Sequence, residues 1–354
     1  MSSSNPANPL PYSDAVESIP PDEASDMEQV IHTIEQILHK SHQPLPDVHA
    51  KGHGCAVGTF AVLPGLPSKL AQGLFRQPNS YDAAVRFSNA SGELQADSKP
   101  DGRGMAIKVL GVEGPKLLDD ERDAKTQDFV MVNHPAFVAR NVKDYLRLEK
   151  VLLSAGHNGL MKLIGVLVAG DLDIVRHLRE LGTVIAIQSH KPANVLSNTY
   201  YSMAPIRFGE YVAKYRATPA QTLPEKLARP GSEPDALRHL LEETLRKQEV
   251  LFNFQVQLRR SEQSMPIEDA SVVWPESESP FQTVATFRLP LQEVAPRRAA
   301  GNNLSFTVWH AIAEHQPLGG INRIRRKAYW TSSVWRHQQA RTARQEPERI
   351  ADIL

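Results

Sequence analysis

From Phe252 to Arg259 apolar and polar residues alternate without a break (FNFQVQLR), a period of two that a half-buried β-strand satisfies and a helix does not. Thr283 to Leu289 (TVATFRL) carries the same signal. Four shorter strand-like segments come earlier: Gly58–Leu63, Ala83–Ser88, Met105–Leu110 and Phe129–Asn133, separated by Gly, Pro, Asp and Asn. Between the two groups the period changes. Tyr145, Leu146, Leu148, Val151 and Leu152 fall at helical spacing, as do residues 172–181, and the helical reading runs on to about Tyr215. A proline-punctuated linker, Thr218 to Pro234, then leads to a helix from Asp235 to about Glu249. Helical patterns also open the chain, at Asp22–Lys40, and close it, from Ser305 to Gln345. Strands, helices, strands, then helices predict an α+β fold: an antiparallel β-barrel with a helical insertion at about residues 142–249 and C-terminal helices. The expected organisation is a mobile tail over residues 1–21, one domain over 22–345 and a short tail over 346–354.

Charge and cysteine content narrow the function classes. Forty basic side chains balance forty acidic ones, so no global field recruits nucleic acid or acidic lipid. The single cysteine, Cys55, excludes an internal disulfide framework and fits a reducing compartment. The N-terminus lacks a basic start and an apolar stretch, and the longest apolar run, residues 163–170, is too short to span a bilayer. The expectation is a cytoplasmic protein without membrane insertion.

Four segments place reactive or polar residues where a strand or helix pattern would enclose them. In Val48–Phe60 (VHAKGHGCAVGTF), His49 precedes a glycine-rich bend; its glycines miss the dinucleotide-binding spacing. In VRFSN, strand alternation puts Arg86 and Ser88 on one face, and an arginine facing inward needs an anion to meet it. A third strand ends at Asn133, a position where asparagine commonly serves as a turn residue. In Asn322–Arg336, Arg325 and Tyr329 are neighbours on one helical face, and Arg336 returns to that side two turns on. A guanidinium beside a phenol favours the phenolate, and phenolate is a known ligand of haem iron. Each segment also has a plain structural reading: a core histidine, an exposed strand face, a turn, a solvated basic helix.

Taken in order, the segments resemble the catalase superfamily. The matching motifs are VHAKGxG at Val48–Gly54, VRFS at Val85–Ser88, DxRGxAxK at Asp101–Lys108, NxP at Asn133–Pro135 and RxxxY at Arg325–Tyr329. The chain length is similar to that of the short, catalase-related peroxidase branch, which also resembles allene oxide synthases. This resemblance implies a haem b (iron protoporphyrin IX) cofactor and a peroxide substrate. His49 would be the distal acid and base, Asn133 its distal partner, and Ser88 the residue that orients the His49 ring. Tyr329 would be the proximal iron ligand, kept as phenolate by Arg325. Arg86 and Arg336 would meet the haem propionates, and Val48 would belong to the cofactor contacts. An unidentified electron donor and a homo-oligomer are implied as partners.

The match has departures. Full catalases carry an arginine where this chain has Pro46, and a second phenylalanine where it has Val138 after Phe137. Val48 is the catalase-like residue at a place where allene oxide synthases have threonine, which favours peroxide reduction over rearrangement of a fatty acid hydroperoxide. Three other readings stay open: that isomerase or lyase activity, a non-catalytic haem-binding barrel, and a metal site from His49 with His53 or from His310, Glu314 and His315.

Overall fold

The computed structural model describes residues 8–41, 45–46, 48–155 and 182–353. Nine strands form one antiparallel sheet: β1 (Gly52–Val62), β2 (Ser80–Asn89), β3 (Arg103–Leu110), β4 (Thr126–Val132), β5 (Tyr200–Tyr201), β6 (Ile206–Phe208), β7 (Tyr211–Pro219), β8 (Val250–Leu258) and β9 (Gln282–Leu289). Their order is β5-β4-β3-β2-β1-β9-β8-β7-β6, and a further pairing of β5 with β7 closes the sheet into a barrel, with β6 as the hairpin partner of β7. Fold class and barrel are those expected from the sequence.

Alternation decides what fills the barrel. Phe60, Phe87, Phe129, Phe252, Phe254 and Phe287 point inward and are at most 1% exposed. The rings of Phe129 and Phe254 lie 4.6 Å apart and those of Phe60 and Phe254 5.2 Å apart, the spacing of packed aromatic pairs. The interior is a solid core, so any site must be built on the outer face.

The helical insertion is shorter than expected. Residues 200–219, read as helix and linker, instead supply β5, β6 and β7 to the barrel. Ala213, Tyr215 and Ala217 do alternate inward, but two of the three are alanines, and small residues blur an alternating pattern. Gly209, at φ +61°, makes the tight turn between β6 and β7. The helix expected at 172–181 lies outside the described residues. The last long helix starts at Gly320, not near Ser305, because Pro317 and Gly319 (φ +83°) interrupt the pattern. It runs from Gly320 to Ala340.

Helices pack where their apolar faces demand. Val30, Ile34 and Leu38 of the helix Glu23–Ser41 meet Val142 and Leu146 of the helix Val142–Ala155, and Ile324 and Ala328 of the C-terminal helix. The N-terminal tail is docked from Leu10 onward: Leu10 N donates to Arg259 O (2.8 Å), and the Tyr12 ring lies 4.3 Å beneath the Arg207 guanidinium. The segment after 345 is docked as well, since Ile353 is fully buried with Cys55, Ala84 and Leu110.

A buried ion network ties that C-terminal segment to the barrel. Lys108, fully buried on β3, sits 2.9 Å from Asp128 and 2.6 Å from Glu346. His310 joins Asp128 (2.8 Å) to Glu121, which also pairs with Arg344. Three acids thus face Lys108, Arg344 and an imidazole. Burial and Lys108 would push the His310 pKa down, but Asp128 and Glu121 outweigh them and raise it. A raised folded pKa contributes stability that is full below the unfolded value, about 6.5, and is lost as pH rises through the folded one. The denaturant midpoint is therefore expected to decline above about pH 6.5. His310→Gln should abolish that decline and lower stability at pH 6 by about 1–3 kcal/mol; urea titrations across pH check both.

Candidate active site

Strand register lays out the outer face. Arg86, Ala106 and Val130 form one row across β2, β3 and β4, and Ser88 and Gly104 belong to the next outward row. The C-terminal helix covers this face with Tyr329, Ser332, Ser333 and Arg336, and the segment holding Asn302, Leu304 and Phe306 forms a side wall. Pro46, Val48 and His49 complete the lining of the cavity. Ser332 and Ser333 were not singled out from sequence. Their signal was available, because positions three and four beyond Tyr329 share its helical face, and serines there leave room that larger side chains would fill.

His49 is held in an uncommon backbone conformation, φ +57°, which bulky residues seldom adopt. Its Nδ1 lies 2.7 Å from the Asn89 carbonyl oxygen and 3.1 Å from Ser88 Oγ. A carbonyl can only accept, so Nδ1 carries the proton and Nε2 is left with its lone pair. Burial first, and the Arg86 charge second, lower the His49 pKa to about 4, which keeps the ring neutral near pH 7. Gly104 makes the geometry feasible: a Cβ there would stand 2.6 Å from both His49 Nδ1 and Ser88 Oγ. The motif contained this glycine, but its steric role appears only once β2 and β3 are in register.

Arg86 and Arg336 line the same cavity. Arg86 Nη2 donates to His49 O (3.1 Å), and Arg336 donates to the carbonyls of Asn302 and Leu304. Neither has an ion-pair partner among the described residues. Burial lowers both pKa values to about 10, with Arg86 contributing to the shift at Arg336, so both stay charged at pH 7. Two unpaired guanidiniums side by side in a wall are tolerable when an anion is their intended occupant.

Two of the expected site residues do not line the cavity. Arg325 is one turn before Tyr329 on the helix, but its guanidinium donates to Asn322 Oδ1 (3.1 Å) and lies 5.3 Å over the Phe137 ring. Phe137 is thereby engaged with Arg325 and, at 5.6 Å, with Tyr145. Asn133 is locked to Arg103 through both groups: its N–H donates to Arg103 O (2.9 Å) and its Oδ1 accepts from Arg103 N (2.7 Å). Its amide nitrogen has no protein partner among the described residues.

The alternative metal sites do not assemble. His315 Nε2 accepts from Leu74 N (2.9 Å), Glu314 pairs with Arg76, and His310 belongs to the ion network. His49 and His53 both contact Asn89, one through its carbonyl and one through its side chain. Glu121, His310 and Glu346 bring ligand atoms within 4.8 Å of one another, but Lys108 and Arg344 already supply the positive charge a cation would bring.

Known proteins share this architecture. A model of the catalase family matches residues 7–157. Solved structures with similar folds include a fungal catalase, with 18% identity and a TM-score of 0.64 over 93% of this chain and 66% of its own. Catalase A from Saccharomyces cerevisiae has 17% identity and a TM-score of 0.65, covering 96% and 70%. A bacterial catalase has 16% identity and a TM-score of 0.61, covering 94% and 63%. The family match covers the N-terminal part of the chain, and the likeness to these solved structures extends the shared fold over nearly all of it. It spans about two thirds of the length of these catalases. A search of curated protein sequences gives no match.

A neutral, buried His49 has a direct readout. In an NMR titration of histidine-labelled protein its imidazole is expected to protonate at about 4, not near the ordinary value of about 6.5. Gly104→Ala, by pushing the ring off Asn89 and Ser88, removes the one hydrogen bond that opposes the shift and should lower that value further.

Proposed function

We propose that this chain is a haem-dependent peroxidase of the short, catalase-related type, acting on hydrogen peroxide or an organic hydroperoxide. One observation carries the reading. A single cavity holds two unpaired guanidiniums, a phenol from the covering helix and a neutral imidazole from the barrel side. Each matches a part of a haem site: carboxylate partners for the two propionates, an anionic oxygen ligand for iron, and a base for the substrate. A haem-binding barrel without catalysis would have no use for an imidazole whose tautomer and pKa are both fixed.

Tyr329 would hold the iron through its phenolic oxygen. Arg86 and Arg336 would bind the propionates; hydrogen bonds to charged groups of this kind contribute about 1.5–3 kcal/mol each. Bound haem iron would supply the redox chemistry, taking two oxidising equivalents from the peroxide and passing them to a donor. His49 Nε2 takes the proton from the near oxygen of the peroxide and returns it to the far oxygen, which leaves as water or alcohol. Ser88 and the Asn89 carbonyl keep the His49 proton on Nδ1, so that Nε2 faces the substrate as a base. Asn133, held by Arg103 and outside the cavity lining, is left out of this step. Val48 in front of His49 leaves the ring free of the hydroxyl that a threonine would bring, which favours O–O cleavage with reduction over rearrangement.

Stopped-flow mixing of haem-loaded protein with hydrogen peroxide tests this. His49→Ala is expected to keep haem and lose roughly 10²–10⁴-fold in the rate of peroxide cleavage. Full turnover in that variant would refute the mechanism. Consumption of a fatty acid hydroperoxide without oxidation of any donor would move the assignment to the isomerase branch.

A further inference from the structure

β1 does not pair evenly with β2 where it leaves the His49 loop. Gly52 faces Ser88 and Gly54 faces Phe87, so His53 is the extra residue of a β-bulge. Bulges re-aim a side chain, and they are common beside active sites. The His53 ring is wholly buried. Its Nε2 meets Asn89 Oδ1 at 2.8 Å, and its Nδ1 lies 3.7 Å from Asp97 Oδ2. Asp97 is also wholly buried, fixed by Lys51 Nζ at 2.8 Å and by Leu237 N at 2.9 Å.

Asn89 gives this arrangement its consequence. Its N–H donates to Lys51 O (3.0 Å), its carbonyl accepts from His49 Nδ1 (2.7 Å), and its side chain meets His53. One residue therefore staples positions 49, 51 and 53, twice through the backbone and once through the side chain. The proposed chemistry makes no use of His53 itself. An apolar side chain would fill the same space without leaving His53 Nδ1 and Asn89 Nδ2 buried and lacking hydrogen-bond partners. A polar ring kept under that penalty has a task.

We propose that His53 is a positioning residue for His49. By fixing the Asn89 side chain it fixes the Asn89 carbonyl, and that carbonyl keeps the His49 proton on Nδ1. Asp97 restrains the far side of the His53 ring. Without His53 the Asn89 carbonyl is free to tilt, and His49 populates the opposite tautomer, whose Nε2–H cannot take a proton from a substrate. The inference rests on the reading of His49 as the distal base.

Long-range ¹⁵N–¹H spectra of the histidine-labelled full chain, recorded without haem and assigned with His49→Gln, test it apart from any cofactor. Wild-type His49 should show one tautomer, protonated on Nδ1. His53→Ala should give a mixture of both. Asn89→Ala, which keeps the carbonyl and removes only the side-chain link, should give the same mixture. His53→Gln, whose amide N–H can reach Asn89 Oδ1, should restore the single form. After haem loading, His53→Ala should slow the reaction with hydrogen peroxide on the order of tenfold at unchanged haem affinity. A single Nδ1–H tautomer retained in both alanine variants would overturn the proposal, as would a mixture in His53→Gln. If the chain takes up no haem, the tautomer spectra still decide the role of His53, so the two failures are separable.

Discussion

A barrel filled with phenylalanine has no space for a cofactor, and everything else in this structure follows from that constraint. The inward face of β2, β3 and β4 is committed to Phe87, Met105, Ile107, Phe129 and Met131. The reactive residues are left to the outward rows, where Arg86 and Ser88 stand beside Ala106 and Gly104. An outward face is open to water, so it becomes a cavity only when something covers it. The C-terminal helix is the cover, and its serines set the depth of the space beneath.

The segment that follows this cover is tied to the barrel by charge. Lys108 is wholly buried one outward row beyond Arg86, and Asp128 with Glu346 meets its ammonium. Breaking one partner of such a buried pair typically costs about 3–5 kcal/mol, because the other charge is left without compensation. The same network orients the cavity wall, since Thr307 N donates to Asp128 Oδ2 (3.0 Å) next to Phe306. Docking of the C-terminal segment and the shape of the site are therefore mechanically linked.

Short-range regularities made much of this legible in sequence. Alternation gave β8 and β9, short strand-like runs between turn residues gave β2, β3, β4 and the second half of β1, and one helix carried Tyr329 and Arg336 to the same side. His49, Ser88, Arg86, Val48, Tyr329 and Arg336 all reach one cavity. What stayed hidden depends on distant partners. Lys108 stood in a recognised motif, yet its contacts lie 202 and 238 residues away, at His310 and Glu346. β7 was obscured because its inward residues include two alanines. Arg325 shares a helical face with Tyr329, but Phe137 and Asn322 draw its guanidinium aside. The His53 bulge shows only in the register of β1 against β2.

The most direct measurement is a crystal structure of the chain grown with haem. Expected is a porphyrin in the cavity between the barrel and the C-terminal helix, with iron bonded to the Tyr329 oxygen, propionates on Arg86 and Arg336, and His49 Nε2 facing the open side of the iron. A haem bound elsewhere, or one in this cavity with Tyr329 turned away from the iron, would contradict the assignment.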